Sequence, residues 1–147
     1  MTVDVESVIT IQRGRASVAD YVVNPSHEPL WYANIKSVEW KTAPPLAVGS
    51  QVAFVAHFLG RRLANTYEIT ELVPGERVAM RTAEGPFPME TTYTWESTPG
   101  GVTLMKLRNR GTPTGFSKLV APFMSYAMRR ANQKDLARLK TLLETPT

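Results

Sequence analysis

The feature that most constrains this chain is a series of short alternating segments that ends in one long helical segment. Between residues 49 and 111, apolar and polar residues alternate in stretches of six to eleven, and glycine or proline turns separate the stretches at 60–61, 74–75, 84–86 and 99–101. Period-two alternation is typical of strands. Connections this short join antiparallel neighbours. The middle of the chain is therefore predicted to be an antiparallel sheet.

The two ends of the chain complete the predicted architecture. Residues 3–11 alternate as a first strand, two short helical stretches follow to about residue 35, and a short strand contains Val38 and Trp40. Apolar residues recur at helical spacing over residues 116–143. Helices grouped on one face of an antiparallel sheet form an α+β fold. We predict a curved sheet of six to seven strands against a long C-terminal helix, with two short helices between strands 1 and 2.

Composition excludes several classes of function. The 147 residues contain no cysteine, which excludes disulfides, thiolate nucleophiles and cysteine-based metal sites. Two histidines without an acidic cluster predict no metal, and no cofactor is expected. The net charge is +4, and the basic residues of the last third are interpreted as a solvated face, so no nucleic-acid partner is predicted.

The sequence also bears on location and assembly. No segment has the apolar length of a signal peptide core or a membrane span. A cytoplasmic location without stable membrane insertion is therefore expected. A homodimer is left open.

A strongly curved sheet offers more concave area than one helix can fill, so an internal cavity is expected between the two. Residues on the inner strand faces and the sheet-facing side of the last helix are the candidates for its wall. Which face of residues 51–59 points inward is left open, since both faces are apolar. The predicted ligand-binding residues are Trp31, Phe54, Phe58, Tyr67, Met80, Met89, Tyr93, Trp95, Met105, Leu107, Phe116, Val120, Phe123, Met124 and Ala127.

Polar residues on the same strands are the candidates for catalysis. By alternation, Tyr67, Tyr93 and Asn109 point inward, and a buried polar group needs a hydrogen-bond partner. That partner could be a ligand, a water or a neighbouring side chain. His57 lies on a strand and is a candidate general base, although a solvent-facing histidine is the simpler interpretation. No Ser-His-Asp arrangement can be assembled.

Several local patterns resemble those of the START-like, or SRPBCC, superfamily, in particular its polyketide cyclase/dehydrase and lipid-transport branch. The patterns are Trp31 after the first helix pair, Val48-Gly49-Ser50, Phe58-Leu59-Gly60-Arg61, residues 71–77 at a turn, Gly100-Gly101-Val102-Thr103 and Leu142-Leu143-Glu144. The resemblance covers nearly the whole chain. It implies one helix-grip domain over residues 1–147, in which the sheet wraps around the C-terminal helix. It carries no shared catalytic motif.

Three functions remain open at this stage. The first is a binding protein for a small hydrophobic molecule, lipid- or polyketide-like, in the internal cavity. The second is a polyketide cyclase or dehydratase that uses the same cavity, and the third is an interaction protein resembling chaperone activators. A cavity of about 300 Å³ or more would favour ligand binding. A cavity that is packed shut would favour the interaction protein.

Overall fold

The computed structural model describes residues 3–84, 88–112 and 121–145. Seven strands form its sheet: β1 Val3–Ile11, β2 Ile35–Trp40, β3 Gln51–Phe58, β4 Arg61–Val73, β5 Arg77–Glu84, β6 Met89–Thr98 and β7 Val102–Gly111. Three α-helices accompany it: α1 Arg15–Val22, α2 Glu28–Trp31 and α3 Ala121–Glu144. A 3₁₀ turn at Pro25–His27 leads into α2.

The strands lie in the order β1-β7-β6-β5-β4-β3-β2, and every neighbouring pair is antiparallel. Strands β2 to β7 follow one another as hairpins. The first strand pairs with the last, so α1 and α2 carry the chain from one edge of the sheet to the other. The prediction of an α+β helix-grip fold, with about six to seven strands and two short helices after the first, is confirmed.

The sheet curls into a half-barrel. Strand β4 shifts register against β5 between Thr66 and Tyr67 and again between Ile69 and Glu71. Such irregularities increase local twist and bend the strand. The inner faces keep strict alternation, as in β6, where every second residue from Met89 to Trp95 is buried. The result is a concave face that α3 covers.

Helix α3 has 24 residues, which corresponds to about 36 Å. Its buried side chains, Met124, Met128, Asn132, Asp135, Leu136 and Leu139, recur every three to four residues and form one stripe. At its C-terminal end, Lys140 Nζ donates to the Thr10 carbonyl oxygen at 2.8 Å, and the Gln12 backbone N–H donates to Glu144 Oε2 at 2.7 Å. These contacts hold α3 against β1.

The described interior contains two apolar clusters. The larger joins α1, α2, the inner sheet face and the C-terminal half of α3, with Trp31, Trp95, Met105, Leu107 and Leu136 among its members. The smaller consists of Val3, Val5, Leu63, Met89, Met124 and Met128. Among the described residues, no helix is long and apolar enough to cross a membrane.

Candidate functional site

A pocket of about 110 Å³ lies between the concave face of the sheet and α3. Its described wall consists of Glu28, Tyr32, Asn34, Ile35, Phe54, Ala56, Phe58, Leu63, Asn65, Tyr67, Met80, Met89, Thr91, Tyr93, Asn109, Met128, Ala131 and Asn132. The wall takes side chains from both apolar clusters. The pocket is smaller than the 300 Å³ expected for a ligand cavity, but it is not packed shut.

Strand β3 shows how the sheet builds the wall. Its even-numbered residues Phe54, Ala56 and Phe58 line the pocket, whereas His57 is exposed. The Phe54 ring meets the Tyr67 ring of β4 edge-on, with centroids 5.7 Å apart. The inward face of this strand, which the sequence leaves open, is therefore the even-numbered one.

Four polar side chains of the wall form one hydrogen-bonded chain. Thr91 Oγ1 donates to Asn109 Oδ1 at 2.8 Å, and Asn109 Nδ2 donates to the hydroxyl of Tyr32 at 3.3 Å. The Tyr32 hydroxyl donates in turn to Asn132 Oδ1 at 3.2 Å. Thr91 and Asn109 are register partners on β6 and β7, so the sheet places the first two members of this chain.

The carboxyl group of Glu28 forms a second polar point in the pocket. Glu28 opens α2 and is 4% exposed, and its Oε1 accepts a hydrogen bond from the Tyr93 hydroxyl at 3.3 Å. Burial away from water raises the pKa of Glu28 from 4.5 to about 8, and the nearby Asp135 carboxyl raises it further against the lowering effect of the Tyr93 bond. The side chain is therefore mostly protonated and uncharged at neutral pH.

Burial also raises the pKa of two other side chains, Asp135 and Tyr67. Loss of contact with water raises the pKa of Asp135 to about 6, although its Oδ1 accepts the Ala33 backbone N–H at 3.1 Å. Burial raises the pKa of Tyr67 to about 12, opposed by its hydrogen bond with Thr82. The described wall contains no lysine or arginine. A negative charge would therefore find no cationic partner among these side chains.

The structure brings together seven of the predicted site residues and places others elsewhere. Phe54, Phe58, Tyr67, Met80, Met89, Tyr93 and Asn109 line the pocket. Trp31, Trp95, Met105, Leu107 and Met124 are buried in the apolar clusters instead of facing the pocket. Phe116 and Val120 lie outside the described residues.

Three predicted residues lie away from the pocket wall for a clear geometric reason. Phe123 is 66% exposed because it precedes the buried stripe of α3 by one residue and faces outward. Ala127 is partly exposed beside Met128 and does not reach the wall. His57 is exposed on the outer side of β3. It is therefore a solvent-facing histidine, which was the simpler interpretation, and not a base in the pocket.

Sequence reasoning missed several wall residues. Met128, which we did not expect to contribute, lines the pocket because it falls four residues after the buried Met124. Asn132 continues the same spacing and interrupts an apolar stripe with an amide, which was a usable signal. Glu28 and Tyr32 carried no such signal, because they belong to a short irregular helix whose orientation only the fold determines.

No described part of the chain brings together three or more His, Asp or Glu side chains that could hold a metal ion. The chemistry available in the pocket is that of hydrogen bonding, apolar contact and proton transfer at a carboxyl group.

Comparison with known proteins places the chain in a family. The profile of the family described as "Polyketide cyclase / dehydrase and lipid transport" matches residues 2–144. A search of curated protein sequences finds no match.

Solved structures share the fold at low sequence identity. A Thermus thermophilus protein, TTHA0849, superposes with a TM-score of 0.80 at 17% identity, covering 95% of this chain and 96% of its own. The Zhui aromatase/cyclase of Streptomyces sp. R1128 has a TM-score of 0.79 at 14% identity, with 98% and 94% covered. A START superfamily protein of Mycobacterium smegmatis has a TM-score of 0.78 at 12% identity, with 96% and 97% covered. At these identities the likeness shows the fold alone, whereas the profile match shows the family: the chain belongs to the polyketide cyclase/dehydrase and lipid-transport family of the START-like superfamily.

Proposed function

We propose that this protein binds a small, uncharged, mostly apolar molecule in the pocket between the sheet and α3. The observation that carries the proposal is the composition of the wall, in which Phe54, Phe58, Leu63, Met80 and Met89 surround a few hydrogen-bonding groups. Apolar walls with a few placed polar groups are typical of small-molecule sites. A binding role is also consistent with the family description, which includes lipid transport.

The size of the pocket limits the ligand. An engineered cavity of about 150 Å³ accepts benzene, so a pocket of about 110 Å³ requires a small movement of the wall to hold even a single ring. A lipid or a polyketide would require a larger movement. Met80, Met89 and Met128 are wall residues with flexible side chains, and their rotation is the simplest way to enlarge the space.

The electrostatics of the wall favour an uncharged ligand. Glu28 is buried and protonated at neutral pH, and Asp135 lies close enough to raise its pKa. An anionic ligand would meet one carboxyl group and no described cation, so fatty acids are expected to bind worse than the corresponding alcohols or ketones.

A pair of alanine variants on α3 tests the binding proposal. Ala131 lines the pocket, and Ala131→Leu would place three more carbon atoms at its wall. Ala137 is exposed on the same helix, so Ala137→Leu is the matched control. Native mass spectrometry of protein purified from its source should show a copurified molecule in the wild type and in Ala137→Leu, and less of it in Ala131→Leu. A bare protein mass in all three, with no thermal stabilisation by a panel of small ketones, alcohols and lipids, would contradict the proposal.

An enzyme of the cyclase or dehydratase class is the second candidate, and Glu28 is the observation that favours it. A carboxyl group with a pKa of about 8 is suited to general acid–base catalysis near neutral pH. As carboxylate, it could take a proton from the carbon next to a ligand carbonyl, leaving an enolate. As carboxylic acid, it could return the proton to that carbon. The predicted catalytic candidates Tyr93, Tyr67 and Asn109 share the wall with it.

Hydrogen exchange into a simple ketone distinguishes this role from binding alone. If Glu28 transfers protons, the methyl group of acetophenone should exchange with deuterium in D₂O faster with wild-type protein than with Glu28→Gln, as followed by proton NMR. Equal exchange in wild type, variant and buffer would leave the pocket as a binding site without this chemistry.

Three further predictions rest on the sequence alone: a cytoplasmic location, a single domain over residues 1–147 and no nucleic-acid partner. Whether the protein forms a homodimer is left open.

A further inference from the structure

The amide of Asn132 lies in the pocket wall, and its hydrogen bonding among the described residues is incomplete. Asn132 lies on α3, is 1% exposed and contributes to the wall. Its Oδ1 accepts the hydrogen bond from the Tyr32 hydroxyl, but its Nδ2 has no partner among the described residues. A buried N–H group without a hydrogen-bond partner is destabilising, and such groups are rare in native proteins.

The hydrogen-bonded chain that ends at Asn132 determines which way the amide points. The distance of 2.8 Å between Thr91 Oγ1 and Asn109 Oδ1 is at the most common O–H···O distance and below the most common N–H···O distance of about 2.9–3.0 Å. Thr91 therefore donates to the Asn109 carbonyl oxygen, which turns the Asn109 NH₂ group towards Tyr32.

The same direction continues through the tyrosine. Since the Tyr32 oxygen receives a hydrogen from Asn109, its own hydrogen is directed at Asn132 Oδ1. The Asn132 NH₂ group is consequently left as the free end of a one-way chain of four side chains. Reversing the Asn132 amide would direct its NH₂ group at the hydrogen that Tyr32 donates, so the end of a chain running in this direction is a donor.

We propose that the Asn132 NH₂ group donates a hydrogen bond to an oxygen acceptor of the bound molecule, so that the ligand class is a neutral carbonyl compound on an apolar body. This inference rests on the proposed function, since it names the polar group that a pocket ligand carries. A ketone, aldehyde or ester oxygen accepts from Asn132 while the apolar remainder contacts the phenylalanine and methionine side chains of the wall. A pure hydrocarbon leaves the amide unpaired.

Two probes of nearly equal shape test the inference. Acetophenone carries a carbonyl oxygen and ethylbenzene does not, so the ratio of their dissociation constants isolates the contribution of the acceptor. Wild-type protein should prefer acetophenone by about two- to tenfold, after correction for the difference in their transfer from water. Asn132→Leu, of similar volume without the donor, should lose this preference while still binding ethylbenzene.

Gln133 offers a matched control, because it carries an exposed amide on the same helix and lies outside the pocket wall. Gln133→Leu should keep the preference for acetophenone. If Asn132→Leu does not fold, the carbonyl stretching band of bound acetophenone gives the same information in wild-type protein. Hydrogen bonding lowers the frequency of this band relative to acetophenone in a hydrocarbon solvent.

The outcomes separate this inference from the proposed function. Equal corrected affinities for the two probes in wild type, or a carbonyl band at its hydrocarbon-solvent position, would overturn the role of Asn132 while leaving pocket binding intact. Failure of wild-type protein to bind either probe or any member of the ligand panel would overturn pocket binding and this inference together. Loss of the preference in Asn132→Leu but not in Gln133→Leu supports the role of Asn132.

Discussion

The hydroxyl of Tyr93 donates a hydrogen bond to the carboxyl of Glu28 at 3.3 Å, and this pair connects the sheet with the short helix α2 inside the pocket. Tyr93 stands on the inner face of β6 and is 3% exposed, while Glu28 is 4% exposed. A negative charge on this carboxyl would be held away from water, which favours the protonated form. Whether the Tyr93–Glu28 pair carries a charge therefore depends on the proton of Glu28.

The raised pKa of Glu28 predicts that the protein loses stability as the pH rises from about 4.5 to about 8. Below this window both folded and unfolded chains hold the proton. Within it the unfolded chain ionises while the folded chain does not, so the unfolded state binds fewer protons and the free energy of unfolding falls with pH. Asp135, with a pKa raised to about 6, adds a loss of the same sign between about pH 4 and 6.

Glu28→Gln should remove the part of this loss that Glu28 causes. The amide resembles the protonated carboxyl and keeps an oxygen for the Tyr93 hydroxyl. We expect the variant and wild type to differ little near pH 4, and the variant to be more stable at pH 9 by an amount on the order of a few kcal/mol. Urea unfolding across pH 4–9 measures the difference, and parallel profiles would contradict a buried, protonated Glu28.

Trp31 should act on stability and only indirectly on binding. Its ring is fully buried and lies against those of Tyr32 and Tyr93, at centroid distances of 5.3 and 6.1 Å. Trp31→Ala should cost about 3–5 kcal/mol of the free energy of unfolding. Leu30 is its neighbour and is 56% exposed, so Leu30→Ala should change stability by less than about 0.5 kcal/mol. Similar losses in both variants in urea unfolding would contradict this placement of α2.

The parts of the fold that could be predicted from the sequence are those that depend on residues close together in the chain. Alternation and turn residues located the strands from 49 to 111 because neighbouring strands are joined by hairpins, and the helical spacing located α3. The pairing of β1 with β7 joins residues about a hundred positions apart, such as Val5 and Asn109. No local pattern encodes that contact, so this pairing was not predicted from the sequence.

The same contrast between local patterns and long-range contacts applies to the residues of the candidate site. Tyr67, Tyr93 and Asn109 were identified as inward-facing because strand alternation is strict. On α3, Phe123 was expected in the pocket wall and Met128 was not among the candidates, whereas Phe123 is exposed and Met128 lines the pocket. Glu28 could not be identified, because a charged residue next to a proline in a short helix is ordinarily exposed, and only the packing of α2 under the sheet buries it.

Substitutions on α3 should separate its two faces. Met128→Ala enlarges the pocket and removes a buried side chain, so it should lower the free energy of unfolding by about 2–5 kcal/mol and favour larger ligands, such as acetonaphthone over acetophenone. Phe123→Ala, on the exposed face, should leave both properties within about 0.5 kcal/mol of wild type. Titration calorimetry and thermal unfolding of the two variants measure this, and a shift of ligand size in Phe123→Ala would contradict the assignment of faces.

The most direct test of pocket binding uses the methionine methyl groups as reporters. Met80, Met89 and Met128 line the pocket, whereas Met105 is fully buried outside its wall. In protein labelled with ¹³C at the methionine methyl groups, titration with acetophenone should move the resonances of the three wall methionines together, with one dissociation constant, and leave that of Met105 in place. If saturating acetophenone and the other members of the ligand panel move none of the three, the pocket does not hold a small molecule and the account is wrong.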